Sequence, residues 1–168
     1  MDEYQERLVR VGLGVLAGYG FALAGGYALQ AHQLVDRLSE DVDLFTDRWD
    51  TEDFSRAVDA VVEAFKREDL EVSVTQREAT FCRLEITDAS IGKVATVDMA
   101  SDFRQDEPVT LSVGPVIAES DAVASKVAAV FSRGYARDYL DLAGILESGR
   151  FPGGTAHANG RAGGRWLQ

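Results

Sequence analysis

Between residues 70 and 100 the apolar period of this 168-residue chain switches to two. "LEVSVTQRE", "TFCRLEIT" and "KVATVDMA" alternate apolar and polar side chains, as strands buried on one face do. The connections at Glu78-Ala79 and at Asp88 to Gly92 are short enough for hairpins, which predicts an antiparallel meander. A sheet with one apolar face needs a cover, and the flanking segments supply it.

Leu8, Val11, Val15 and Leu16 predict an amphipathic helix over 4–18. "FALAGG" (21–26) reads as a short buried strand ending in a glycine turn, "YALQAHQLV" (27–35) as a helix and "DVDLFT" (41–46) as a strand. "TEDFSRAVDAVVEAFKRED" (51–69) predicts a helix capped by Asp50 or Thr51, with acids in its first turn. "ESDAVASKVAAVFSR" (119–133) and "ARDYLDLAGILES" (136–148) return to helical spacing, joined by a turn at Gly134. The predicted order is helix, strand, helix, strand, helix, three strands, two helices. That is an α/β (α+β) fold, a mixed sheet with helices mainly on one face, in one domain over 1–148. From Gly149 the sequence is Gly-rich and lacks periodicity, which predicts a flexible tail.

Composition narrows the function classes. An apolar fraction of 46% supports one packed core. No apolar run reaches the roughly 18 residues a membrane span needs, and the start, "MDEYQERLVR", does not read as a signal peptide. The single cysteine, Cys82, forms no intrachain disulfide and reads as a buried strand residue, so a cytoplasmic location is expected. The net charge of −11 argues against a broad basic face for nucleic acid. His32 and His157 are too few for a histidine metal site, and His32 reads as a helix-surface residue.

The chemistry is carried by acids in strands. Asp41 and Asp43, two apart, share one face while Val42 and Leu44 turn into the core. Paired carboxylates repel unless a cation or a shared proton relieves them, and hard oxygen ligands in pairs suit Mg²⁺. Asp98, in "VATVDMA", is a third strand acid able to join them, and three such acids can hold two divalent ions for an in-line phosphoryl displacement. Gly25 and Gly26 at a strand-to-helix turn allow backbone N–H groups to approach phosphate. Each feature alone also fits a plainer role: a solvated acid pair, an ordinary turn, a strand-end acid.

Taken in order, "GGYALQAHQLVDRLSEDVDLF" resembles the first motif of the nucleotidyltransferase superfamily that includes DNA polymerase β. More narrowly it is similar to the AbiEii/AbiGii toxin family, whose glycine turn precedes R-x-S/T-x-D-I-D-L-F. "ESDAVASKVAAVFSRGYARDYLDLAGIL" (119–146) resembles that family's downstream stretch, a lysine followed by an arginine and then R-D-x-x-D-L. Together the two motifs frame residues 20–147. The family commonly carries further helices beyond this stretch, where this chain has its Gly-rich tail.

The resemblance implies a polymerase β-like fold, an NTP co-substrate and Mg²⁺, in two ions, on Asp41 and Asp43. Gly25, Gly26 and Ser39 would line the phosphate side, and Lys126 would neutralise the triphosphate. Asp138 would orient Lys126 or the substrate, with Arg133 and Arg137 reaching phosphate. Asp98 as third ligand is inferred from its strand position, and Asp141 reads as structural. The implied activity is transfer of NMP from NTP to an acceptor, either RNA such as a tRNA 3′ end or protein. The implied setting is the toxin of a toxin–antitoxin or phage-defence pair, with a cognate antitoxin as partner. Two other readings stay open: a small-molecule nucleotidyltransferase of the aminoglycoside type, and an inactive module that binds nucleotide or a partner.

Overall fold

A computed structural model of the chain describes residues 1–151. The elements in chain order are α1 (Glu3–Leu16), a 3₁₀ turn (Ala17–Tyr19), β1 (Phe21–Ala24), α2 (Gly25–Ala31), β2 (Asp41–Thr46) and α3 (Thr51–Arg67). Then come β3 (Glu71–Arg77), β4 (Phe81–Asp88), β5 (Lys93–Ser101), β6 (Val109–Leu111), β7 (Gly114–Val116), α4 (Glu119–Ser132) and α5 (Ala136–Glu147). The strands form one seven-stranded mixed sheet in the order β3-β4-β5-β2-β1-β7-β6.

The expected meander is present: β3, β4 and β5 pair antiparallel through the two short turns. Cys82, Leu84 and Ile86 on β4 are buried, as are Ala95, Val97 and Met99 on β5. From β5 the sheet continues by a parallel pairing to β2, and β2 is antiparallel to β1. Helices α1 and α3 lie together on the face that holds Val42 and Leu44. Asp2 caps α1 by accepting from the Gln5 backbone N–H at 2.8 Å, and the Tyr4 hydroxyl donates to the Ile86 carbonyl at 2.9 Å. Asp50 is the cap of α3, accepting from the Asp53 N–H at 2.8 Å. Phe21 of β1 and Phe54 of α3 meet with ring centroids 6.0 Å apart, which ties that helix to the strand. Helices α2, α4 and α5 pack on one another beside β2 and β1. The opposite face of β2, with Asp41 and Asp43, is thereby left between a helical wall and the meander.

Three expectations change. The strand ends at Ala24, ahead of the glycine turn, but the helix begins at Gly25 rather than Tyr27, with Gly25 turning the chain at φ +61°. That helix stops at Ala31 rather than Val35, since Gln33 takes a left-handed φ of +59° that no helix can continue through. The strands β6 and β7, absent from the sequence reading, pair antiparallel and join the sheet through Leu23 and Val116.

Arg150 and Phe151, at the start of the predicted tail, contact the rest of the fold. The Arg150 guanidinium bonds to the His32 carbonyl and pairs with Glu119 at 3.1 Å, and Phe151 packs against the core. The rest of that predicted tail, with His157, lies outside the described residues. Among the described residues no helix is long and apolar enough to cross a membrane.

Candidate active site

Strand β2 presents Asp41 and Asp43 on the face away from α1, with Val42 and Leu44 fully buried behind them. The parallel register to β5 sets Asp43 opposite Asp98, and Asp41 opposite Thr96. The pairing of β2 with β1 sets Asp43 opposite Ala24, immediately before the glycine turn. A Cβ on Gly25 would fall 1.9 Å from Asp43 Oδ2, so only glycine fits at that point. At Gly26 a Cβ would meet Ser39 Oγ at 2.9 Å. The acids, the glycine turn and Ser39 are therefore one assembly. Ser39 is held from behind, as its carbonyl accepts from the Tyr27 hydroxyl at 2.6 Å and from Gln5 Nε2 at 3.3 Å.

Electrostatics mark Asp43 as the strained member. Burial, then the charges of Asp98 and Asp41, push its carboxyl up from 3.8 to about 7, against a downward pull from Lys126 and Arg133. Asp41 is raised for the same first two reasons, burial and Asp98, with Arg137 opposing. No hydrogen-bond donor reaches the Asp43 carboxylate among the described residues. Two adjacent carboxylates, one of them half-buried and without a donor, form a donor set that suits a hard divalent cation. Asp41 and Asp43 thus fit Mg²⁺. Asp98 stands differently, because both its oxygens accept from Arg83, Nε at 2.8 Å and Nη2 at 2.7 Å. Among the described residues no group of three or more acids, histidines or cysteines converges as a finished metal centre.

Across from these acids, α4 and α5 carry a buried charge network. Lys126 Nζ lies 2.9 Å from Asp138 and 2.8 Å from Asp141, and both carboxylates are fully buried. Arg133 grips Asp138 through Nε at 3.0 Å and Nη2 at 3.1 Å. Burial alone would raise the Asp138 carboxyl, but the bonds from Arg133 and Lys126 outweigh it and hold it well below the usual range. Asp141 takes a second cation, Arg37, at 2.5 and 2.7 Å. Lys126 is thus fixed by two acids and pulls the Asp43 carboxyl downward electrostatically. Arg137 reaches the other way, to Glu40 at 3.3 Å and Asp41 at 3.9 Å. Arg133 and Arg137 also stack on the Tyr135 ring, at 5.2 and 5.5 Å from its centroid.

Two arginines, Arg83 and Arg37, join these residues without standing among the candidates drawn from the sequence. Arg83 was legible in principle: closing the second hairpin at Asp88 and Lys93 and counting five residues back along each strand sets it opposite Asp98. Arg37 stands inside the first motif, but its partner is 104 residues away and no local pattern points to it. Asp141, read from the sequence as structural, pairs with both Arg37 and Lys126. Cys82 is buried, and burial raises its thiol. His32 is not a plain surface residue, since its Nε2 lies 2.8 Å from the Ile117 carbonyl.

Solved structures share this fold. The antibiotic-resistance factor ANT(2'')-Ia is 15% identical, with a TM-score of 0.67 over 98% of this chain and 93% of its own. JHP933 from Helicobacter pylori is 18% identical with a TM-score of 0.59, covering 84% of this chain and 66% of that one. The nucleotidyltransferase toxin MenT4 from Mycobacterium tuberculosis is 20% identical with a TM-score of 0.54, covering 83% and 56%. The chain therefore spans about two thirds of JHP933 and little more than half of MenT4. No curated protein sequence matches it. Residues 15–159 match the family described as "Nucleotidyl transferase AbiEii toxin, Type IV TA system". With most of its length inside that match, and the glycine turn, paired aspartates and lysine brought together in the fold, the chain belongs to the AbiEii nucleotidyltransferase toxin family.

Proposed function

We propose that the protein transfers a nucleoside monophosphate from a Mg·NTP to an acceptor hydroxyl, releasing pyrophosphate, and that it serves as the toxin of a toxin–antitoxin pair with a cognate antitoxin. The observation that carries this reading is the donor-free Asp43 carboxylate, pressed beside Asp41 against a glycine turn and faced by Lys126. Asp41 and Asp43 would hold Mg²⁺, with Asp98 as a third ligand where two ions bind. Bound there, the metal would neutralise phosphate charge as it builds in the transition state. Gly25, Gly26 and Ser39 receive the phosphates against backbone N–H groups. The acceptor oxygen bonds to the α-phosphorus as the bond to the bridging oxygen of the β-phosphate breaks. The electron pair leaves with pyrophosphate, the hydroxyl proton passes to Asp98, and Lys126, held by Asp138, steadies the leaving charge. Arg133 and Arg137 reach phosphate at the mouth.

RNA such as a tRNA 3′ end, or a protein, is the acceptor this reading favours, while the toxin family and the toxin MenT4 support the toxin setting. The test tracks label from each of the four NTPs into total RNA and protein. Transfer by the wild type that is lost when Asp41 and Asp43 are both replaced by Asn is the expected result; unchanged transfer removes both residues from the mechanism. A second reading, a small-molecule nucleotidyltransferase with a cationic acceptor, is favoured by the charge of −11 and by the fold shared with ANT(2'')-Ia over nearly the whole chain. A neighbouring gene for a helix-turn-helix regulator would separate the two in favour of the toxin. A protein that folds but binds no Mg·NTP by calorimetry would support the inactive binding module instead.

A further inference from the structure

The registers of three strands place Arg83, Asp98 and Asp43 in one row across β4, β5 and β2. At its centre Asp98 is buried and chelated side-on, each oxygen taking one N–H of the Arg83 guanidinium. We propose that Arg83 is the resident counter-ion of the third carboxylate, a guanidinium that must release Asp98 before a second divalent cation can settle beside Asp41 and Asp43. This rests on the reading that Asp41 and Asp43 hold the metal.

A bidentate guanidinium supplies what a divalent ion would supply to Asp98: positive charge and two fixed oxygen contacts. A cation arriving on the remaining lone pairs of Asp98 would sit within a few ångströms of that guanidinium and be repelled by it. The arginine also has somewhere to go. Its side chain is 46% exposed, and its guanidinium carbon already lies 5.8 Å from the centre of the Phe81 ring at the start of β4. Swung outward, it would remain over that ring with its charge turned to solvent or to an arriving phosphate. The polar row would then hold one ion at rest and two only when substrate draws Arg83 away. Asp98 would likewise be free to take the acceptor's proton only in that second state.

Metal affinity measures the latch without any turnover. Full-length protein is titrated with Mn²⁺ while the free aqua ion is monitored by electron paramagnetic resonance, for wild type, Arg83→Gln, Arg83→Lys, Asp43→Asn and Arg83→Gln with Asp98→Asn. Removing a like charge at this range should tighten Mn²⁺ binding by about tenfold, or add a second bound ion. Arg83→Gln should show this gain, and adding Asp98→Asn should abolish it. Arg83→Lys, which cannot chelate both oxygens, should gain about threefold; it serves as the decisive variant if Arg83→Gln does not fold. A folded Arg83→Gln or Arg83→Lys with unchanged or weaker affinity overturns the latch, while wild-type binding that Asp43→Asn removes leaves the metal reading standing. If neither wild type nor Arg83→Gln binds Mn²⁺, the metal reading fails and the latch with it.

Discussion

Asp43 and Gly25 form a contact that tolerates little change on either side. Gly25→Ala adds a Cβ where the carboxylate oxygen already is, on a backbone with φ +61°. The left-handed conformation alone costs about 1–2 kcal/mol for a residue with a Cβ. The displaced Asp43 adds to that, so Gly25→Ala should lower the unfolding midpoint in urea and abolish metal binding together. Asp43→Asn should do the reverse to the metal-free protein. The Asp43 carboxyl is raised to about 7 in the fold and returns to the ordinary value near 4 when unfolded. Because the folded form holds the proton more tightly, ionisation of Asp43 removes stability as pH climbs from about 4 to 7. Asp43→Asn should therefore gain Tm over the wild type progressively across that window and hold the gain above it. A difference in Tm that stays flat between pH 4 and 8 would contradict the raised carboxyl. The facing of Asp41 and Asp43 was legible from a period of two, but the size of the strain was not. That depends on Asp98, which arrives by a parallel pairing over some fifty residues of chain that no local pattern encodes.

At the scale of elements, α5 is held to the loop between α2 and β2 by two ion pairs of unlike depth. Arg37–Asp141 joins a partly exposed guanidinium to a fully buried carboxylate with two short bonds, whereas Arg137–Glu40 joins an exposed pair. Loss of a charge-assisted bond to a buried partner costs about 1.5–3 kcal/mol, while an exposed pair is worth under about 1 kcal/mol. Arg37→Gln should thus lower urea stability by the larger amount and Arg137→Gln by little. Since Asp141 also holds Lys126, Arg37→Gln should in addition weaken NTP binding in calorimetry. Equal losses in the two variants would mean that the buried tether does not position α5. Long elements were legible because they repeat: α3 carries Phe54, Ala57, Val58, Val61 and Phe65 on one buried face. The strands β6 and β7, three residues each and interrupted by Gly114 and Pro115, complete less than two periods and leave nothing for a pattern to catch. The end of α2 was misplaced for a related reason. Gln33 turns left-handed just before Leu34 enters the core, a tertiary demand that helical spacing does not encode.

Over the whole molecule the charge is −11, yet the mouth of the site gathers Lys126, Arg133 and Arg137. Each of these already faces a carboxylate, so an incoming polyanion meets a small cationic patch inside a repulsive field. This arrangement constrains how an RNA acceptor would engage. Even if all three met phosphates of a single strand the slope in log affinity against log salt would reach only about −2, and relief of the long-range repulsion by added salt makes it shallower. The kcat/KM for an RNA acceptor should therefore fall with KCl at a slope no steeper than about −2, a dependence set by a few end contacts rather than by tracking along a backbone. A cationic small molecule behaves differently, because it is drawn in by the whole acidic surface and loses that attraction as salt screens it. Arg133→Gln with Arg137→Gln should flatten the RNA dependence by about one further unit and leave a cationic acceptor's dependence unchanged. A measured RNA slope steeper than about −4 would require a basic face that the described residues do not carry, and would move the acceptor site away from the helical wall beside Asp43.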